Sequence, residues 1–253
     1  MPRINTLPPG TRTRRALAYV PTGHERQKLD LFVPAGVRNP PVVVALHGGA
    51  WMAGSREDVD PTPFLLRGLA VAAVGYRLSQ HALFPAQIQD AKAAVRWLRV
   101  HGAEQGIDGA RIGAWGPSAG GHLAALLGVA GDVRGFDVGE NAGVSSRVQA
   151  VVDLFGPTDF HQMDAHRPPT GIPTDELPEA KLVGGPIARH RERVALANPV
   201  THVRPGAPPF LIVHGSRDPL VPHHQSELLA DALRRAGNAV SFYTVEGGGH
   251  GFG

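Results

Sequence analysis

Cysteine is absent from all 253 residues, so neither a disulfide framework nor a thiolate metal site holds this chain together. No run of about 18 consecutive apolar residues occurs either, which removes a membrane-spanning helix from the expectation, and with it a membrane partner. The N-terminal "MPRINTLPPGTRTRRALAYV" lacks the apolar core of a secretory signal, so the chain as given is expected to be soluble and cytoplasmic. Lysine is scarce: of 25 basic residues only Lys28, Lys92 and Lys181 are lysine. The arginines are spread along the chain, and a net charge of +3 with a pI near 9.7 therefore points to no nucleic-acid partner. Internal repeats and low-complexity tracts are missing too. What is present is 42% hydrophobic content, enough to bury a sizeable core in one α/β domain spanning residues 1–253.

Short apolar runs carry the organisation. "PVVVALHGG" (41–49), "AVAAVGY" (70–76), "VQAVVDLFG" (148–156) and "PFLIVHG" (209–215) each end in glycine or a polar turn, as strands buried on both faces do. "RIGAWG" (111–116) and "AVSFYTV" (239–245) are of the same kind. Helical patterns lie between them. "FPAQIQDAKAAVRWLRVHG" places Ile88, Ala91, Val95 and Leu98 at helical spacing, with Pro85 near the first turn and Gly102 as the expected stop. "QSELLADALRRAG" repeats the pattern and ends at Gly237. Strands alternating with helices predict βαβ units in a mostly parallel sheet. Ahead of them, "KLDLFVP" alternates Leu29, Leu31 and Val33 and is expected to form an antiparallel edge strand. The stretch from about 157 to 204 breaks the rhythm with prolines, histidines and short helical patches. A structureless loop of that length is uncommon in a compact domain, so it is read as a lid or cap excursion.

In "GAWGPSAGGHLAALL" (113–127), Ser118 stands between Gly116 and Gly120, after a strand and before a helix. That is the setting of a nucleophile elbow, a strained turn that lifts the serine Oγ clear of the sheet while the glycines keep Cβ atoms out of a tight strand-to-helix contact. A plain N-cap serine needs neither glycine. Pro117 is compatible with the turn because it favours an extended approach. A nucleophilic serine needs a base and the base an orienting acid, here in the order Ser, Asp, His. "HGSRDPLVP" offers Asp218, and "VEGGGHGFG" offers His250 among glycines that let the loop bend back. Asp153, near the end of the preceding strand, is the rival acid. His214, His223, His224, His161 and His166 are expected on the surface or in hydrogen-bonded turns, and His122 is expected to pack. In "LHGGAW" the glycines let the N–H groups of Gly49 and Ala50 face a pocket, with the Ala119 N–H as a third donor and His47 as an anchor. Trp51, Phe155 and the 157–204 excursion are expected to wall the pocket.

Together "HGGAW", "GPSAGGHLA", "YRLSQHALFPAQIQDAKAAVRWLR", "GPTDF", "HGSRDPLVP" and "GGGHGFG" resemble the α/β-hydrolase superfamily, in the esterase branch related to hormone-sensitive-lipase-like carboxylesterases and bifunctional feruloyl and acetyl-xylan esterases. The likeness runs from about Leu29 to the last residue. It implies an α/β-hydrolase fold with an eight-stranded, mostly parallel twisted sheet flanked by helices. It also implies a serine-dependent carboxylic ester hydrolase that acts on short-chain, aryl or acetyl esters through an acyl-serine, without cofactor or metal and with a small-molecule ester as substrate; the oligomeric state is left open. The family roles fall on Ser118 as nucleophile, Asp218 as acid, His250 as base, and Gly49, Ala50 and Ala119 as oxyanion donors. Two features depart from the pattern. Pro117 replaces the residue usual before the serine, and the sequence ends three residues after His250, where such enzymes continue into a helix. The rival readings are an arylformamidase or peptidase with the same triad, and a non-catalytic hydrolase-fold protein that binds a small ligand. The last class tends to lose the triad, and all three members stand here.

Overall fold

The computed structural model describes residues 6–169 and 171–253; Met1–Asn5, part of the stretch read for a leader, and Thr170, inside the excursion, lie outside the described residues. Eight strands form one sheet: β1 (Arg12–Ala18), β2 (Lys28–Val33), β3 (Pro41–Leu46), β4 (Ala70–Val74), β5 (Asp108–Pro117), β6 (Ala150–Leu154), β7 (Phe210–Gly215) and β8 (Val240–Val245). Their order is β1-β2-β4-β3-β5-β6-β7-β8. β2 runs antiparallel to both β1 and β4, and every other pairing is parallel. This is the α/β-hydrolase fold the resemblance implies. The helices in chain order are α1 (Thr62–Leu65), α2 (Ala86–Gln105), α3 (Ala119–Val129), α4 (Phe160–His166), α5 (Pro178–Val183), α6 (Arg191–Ala197), α7 (Pro199–His202) and α8 (His224–Arg235).

The apolar runs become strands because both faces of the sheet are covered. In β4, Ala70, Ala72 and Val74 join the large core under α2 and α3, whereas Val71 and Ala73 join a second cluster with Phe32, Ala45 and Leu65 on the other face. α8 is buried along Ser226, Leu229, Ala230 and Leu233, a helical stripe against the sheet. Among the described residues, no helix is long and apolar enough to cross a membrane.

Two expectations need correction. The strand at Lys28–Val33 is antiparallel but not at the edge, because β1 pairs along its outer side and takes that place. β1 escapes the apolar pattern because its side chains are mostly exposed and its contribution is a backbone ladder. Nor does Gly102 stop α2. The helix runs on to Gln105 and ends at Gly106 in the left-handed region, φ +73°. Gly102 serves another purpose: a Cβ there would lie 2.9 Å from the Gly109 nitrogen, so the glycine allows the helix to lie against the start of β5.

The sheet order fixes where a site can form. β3 and β5 are neighbours, and the chain leaves β3 toward β4 but leaves β5 toward β6. Crossovers diverging in this way open a crevice beyond the carboxyl ends of the two strands.

Candidate active site

Ser118 sits in that crevice, at the turn between β5 and α3, with φ +55° and ψ −122°, a conformation disfavoured for a residue with a Cβ. Its N–H donates to the Leu154 carbonyl at 2.8 Å, and its carbonyl accepts from His122 N at 3.0 Å. The flanking glycines are sterically required. A Cβ on Gly116 would lie 2.4 Å from the Gly120 backbone, and one on Gly120 would lie 2.1 Å from the Leu46 oxygen.

His250 approaches from the loop after β8, and its Nε2 lies 3.0 Å from Ser118 Oγ. Its Nδ1 lies 2.7 Å from Asp218 Oδ2. A carboxylate only accepts, so Nδ1 carries a proton, and in the neutral ring Nε2 offers its lone pair to the serine hydroxyl. Asp218 comes from the turn after β7. Its Oδ1 accepts the N–H groups of Leu220 and Val221 at 2.9 and 3.0 Å. Burial pushes its pKa up, but hydrogen bonds from His214, His250 and the Val221 N–H outweigh burial and hold the carboxyl well below the usual carboxylate range. His250, Asp218 and Ser118 are thus linked in series, an arrangement able to move a proton from the hydroxyl to the imidazole and to steady the imidazolium.

Asp153 is not brought to His250. It is fully buried at the end of β6, where Oδ1 accepts the Gly156 N–H at 2.9 Å and Oδ2 has no partner among the described residues. Burial pushes its pKa up to about 6. His214 is not on the surface either. It is fully buried on β7, with Nε2 3.2 Å from Asp218 Oδ2 and 2.9 Å from the Val221 oxygen, and with Nδ1 2.7 Å from Ser226 Oγ. Facing two acceptors, Nε2 carries the proton, and Nδ1 accepts from the serine hydroxyl. His214 is a second support of Asp218, legible only as a histidine four residues ahead of the acid.

The loop after β3 carries a run of positive φ: +108° at Gly49, +54° at Ala50 and +57° at Trp51. A Cβ on Gly49 would lie 2.4 Å from the Ala53 oxygen. The Gly49 carbonyl accepts from both Met52 and Ala53 N–H at 2.9 Å, while the N–H groups of Gly49 and Ala50 have no acceptor among the described residues. Ala119 begins α3, where the N–H has no partner within the helix. His47 is buried and stacks on Tyr76, and burial pulls its pKa down to about 4.

A cavity of about 170 Å³ opens over Ser118, lined on the sheet side by Ala50, Trp51, Ala119, Leu220, Val221 and His250. Residues of the excursion complete the lining, among them Met163, Arg167, Leu177 and Glu179. Trp51 holds its wall through a relay, its Nε1 donating to His122 Nδ1 at 3.2 Å while His122 Nε2 donates to the Ala197 oxygen at 2.7 Å. His122 therefore packs, as expected. Phe155 is not among the lining residues, and its ring instead meets the His250 ring edge-on at a centroid distance of 4.7 Å. Arg167 and Glu179 form a buried ion pair in the cavity wall, with Asp164 on the same guanidinium. Neither was legible in the sequence, because α4 and α5 are brief and carry no motif. Among the described residues, no group of three or more His, Asp or Glu could hold a metal ion.

A family model described as BD-FAE matches residues 29–233. Esterase LipC of Mycobacterium tuberculosis is 35% identical over 217 residues, which cover 84% of this chain and 53% of LipC. The chain thus spans about half the length of the curated relatives it matches. A solved structure titled as a truncated form of a carbohydrate esterase from gut microbiota superposes with a TM-score of 0.85 at 34% identity, covering 95% of this chain and 89% of that one. Butyrate-bound Est2 of Thermogutta terrifontis gives a TM-score of 0.73 at 29% identity, covering 96% and 85%.

Proposed function

The chain belongs to the BD-FAE family of α/β-hydrolases, and from that premise we propose that it is a serine-dependent carboxylic ester hydrolase acting on short-chain, aryl or acetyl esters. The observation that carries this reading is the series Ser118 Oγ, His250 and Asp218, at 3.0 and 2.7 Å, with Ser118 and His250 lining a cavity. His250 takes the Ser118 proton on Nε2 as Oγ bonds to the ester carbonyl carbon. The carbonyl oxygen, now negative, accepts hydrogen bonds from the N–H groups of Gly49, Ala50 and Ala119. Collapse breaks the bond to the alcohol oxygen, and His250 returns the proton to it. Water then repeats the sequence against the acyl-serine and releases the acid. Asp218 keeps the imidazole in the productive tautomer throughout. The chemistry draws on side chains and backbone alone.

Trp51 and the excursion shape the pocket as a cap, and Phe155 supports the His250 ring from behind. Two relatives support the substrate class: the carbohydrate esterase, and the Thermogutta enzyme, which has been solved with butyrate and also phosphorylated by paraoxon. The test is Ser118→Ala measured on p-nitrophenyl acetate, together with a fluorophosphonate probe on the parent. Folding unchanged, turnover essentially abolished and one adduct on Ser118 are the expected results. An adduct on any other serine overturns the assignment.

A further inference from the structure

His47 follows β3 just ahead of the two glycines, packed against Tyr76, and two contacts on its ring nitrogens decide its protonation. The Tyr76 ring stacks on it at 4.2 Å with an interplanar angle of 10°, and the Tyr76 hydroxyl donates to the His47 carbonyl at 2.8 Å. Arg26 reaches across from the turn between β1 and β2. Its Nε donates to the Tyr76 carbonyl at 2.9 Å, and its Nη2 faces both the Gly54 carbonyl at 2.6 Å and His47 Nε2 at 3.2 Å. A guanidinium has no acceptor. His47 Nε2 must therefore present its lone pair, and the single ring proton lies on Nδ1, which donates to the Gly48 carbonyl at 2.7 Å. The other tautomer would direct an N–H at the guanidinium and a lone pair at the Gly48 oxygen, two repulsions in place of two hydrogen bonds.

The Gly48 carbonyl and the Gly49 N–H belong to one planar peptide unit and point in opposite directions. Holding the oxygen on the imidazole therefore fixes the direction of the Gly49 N–H. The fit is close: a Cβ on Gly54 would lie 2.5 Å from the Gly48 oxygen and 2.7 Å from His47 Nδ1. We infer that Arg26 is a positioning residue for ester hydrolysis, which holds His47 in its Nδ1–H tautomer and so aims the Gly49 N–H at the oxyanion. The inference rests on the esterase reading above. It concerns a residue that lies ahead of the 29–233 segment matched by the family model. The depressed pKa of His47, to which Arg26 contributes after burial, agrees with it, since protonation would set two cations face to face.

The test uses the full chain as parent, Arg26→Met and Arg26→Lys. The His47 tautomer is read by ring ¹⁵N NMR, alongside kcat and KM on p-nitrophenyl acetate and inhibition by a boronic acid that becomes tetrahedral on Ser118. The parent should show a protonated Nδ1 and a bare Nε2. Arg26→Met should lose that single tautomer, with kcat lower by about 10- to 100-fold, less than or equal to the loss of one whole oxyanion donor. KM should stay within about twofold, and boronate affinity should fall in step with kcat. Arg26→Lys restores a donor-only cation without the fork and should recover part of kcat; it also carries the test if the methionine variant does not fold. An active parent matched in kcat by both variants, or a loss of kcat with the tautomer unchanged, overturns the role of Arg26 alone. A parent that turns over no ester removes the esterase reading, and this role with it.

Discussion

Two aspartates at the carboxyl ends of adjacent strands, Asp153 on β6 and Asp218 after β7, divide the work of one. Asp218 accepts from two imidazoles and two backbone N–H groups, whereas Asp153 has one N–H for two buried oxygens. Asp218→Asn should leave the fold intact and cut kcat on p-nitrophenyl acetate by about 10⁴, because an amide favours the wrong imidazole tautomer. Asp153→Asn should keep most of the activity, and a severe loss there with a mild one at position 218 would reverse the assignment. Asp153 makes a further prediction about stability. Its pKa is raised from 3.8 to about 6 in the folded chain, so its contribution is fully present below about pH 4 and is lost as pH rises through 6. Two pH units correspond to a differential on the order of 3 kcal/mol. In denaturant titrations, Asp153→Asn should therefore gain on the parent between pH 4 and pH 7 by that order. A difference independent of pH would show that the buried carboxyl titrates as it does in the unfolded chain.

Among the described residues, the excursion between β6 and β7 is built from four short α-helices that bury Phe160, Met163, Leu182, Val183 and Val194 in the main core, and polar ties fasten it further. Gln225 on α8 accepts the N–H groups of Thr158 and Asp159 at 2.8 and 2.7 Å, and Asn198 Oδ1 accepts the Phe160 N–H at 3.0 Å. The Arg167–Glu179 pair joins α4's end to α5. Breaking a buried pair by removing one partner strands the other charge, at a cost of about 3–5 kcal/mol. Arg167→Met should accordingly lower the unfolding midpoint strongly, and Arg167→Met with Glu179→Gln should recover much of the loss, since no buried charge is then left alone. Thermal melts of the two variants decide this, and a double variant no better than the single one would rule the mechanism out. The contrast with the sheet explains what was legible in the sequence. β4 reads as a strand because both faces are buried, and the elbow reads as an elbow because two glycines have no room for a Cβ. β1 and the α4–α5 wall did not, because one presents polar side chains on a backbone ladder and the other depends on ion pairs between helical segments too short to carry a pattern.

At the scale of the whole molecule, the site is a product of strand order. The loops after β3, β5, β7 and β8 supply Gly49 and Ala50, Ser118, Asp218 and His250, and a parallel sheet brings those four ends to one edge. The excursion leaves the same edge after β6 and returns over it, so the residue that meets His250 and the residues that limit the cavity arise from one connection. The result is a small chamber. At about 170 Å³ the cavity lies below the roughly 300 Å³ at which drug-sized pockets begin, and Met163, Leu177 and Glu179 are part of the wall it shares with Ser118. On the esterase reading, an acyl group entering this cavity meets Leu177 and the Arg167–Glu179 pair within a few carbons, and a long chain has to displace them. On p-nitrophenyl esters of increasing length, kcat/KM should therefore peak at roughly C2 to C6 and fall at C12, because the added methylenes, each worth about 0.8 kcal/mol when buried, find no cavity to enter. Leu177→Ala, which opens the wall, should move the optimum to longer chains while leaving the acetate rate nearly unchanged. A parent that prefers C12, or an optimum that does not move in Leu177→Ala, would place the acyl group on the other side of Ser118.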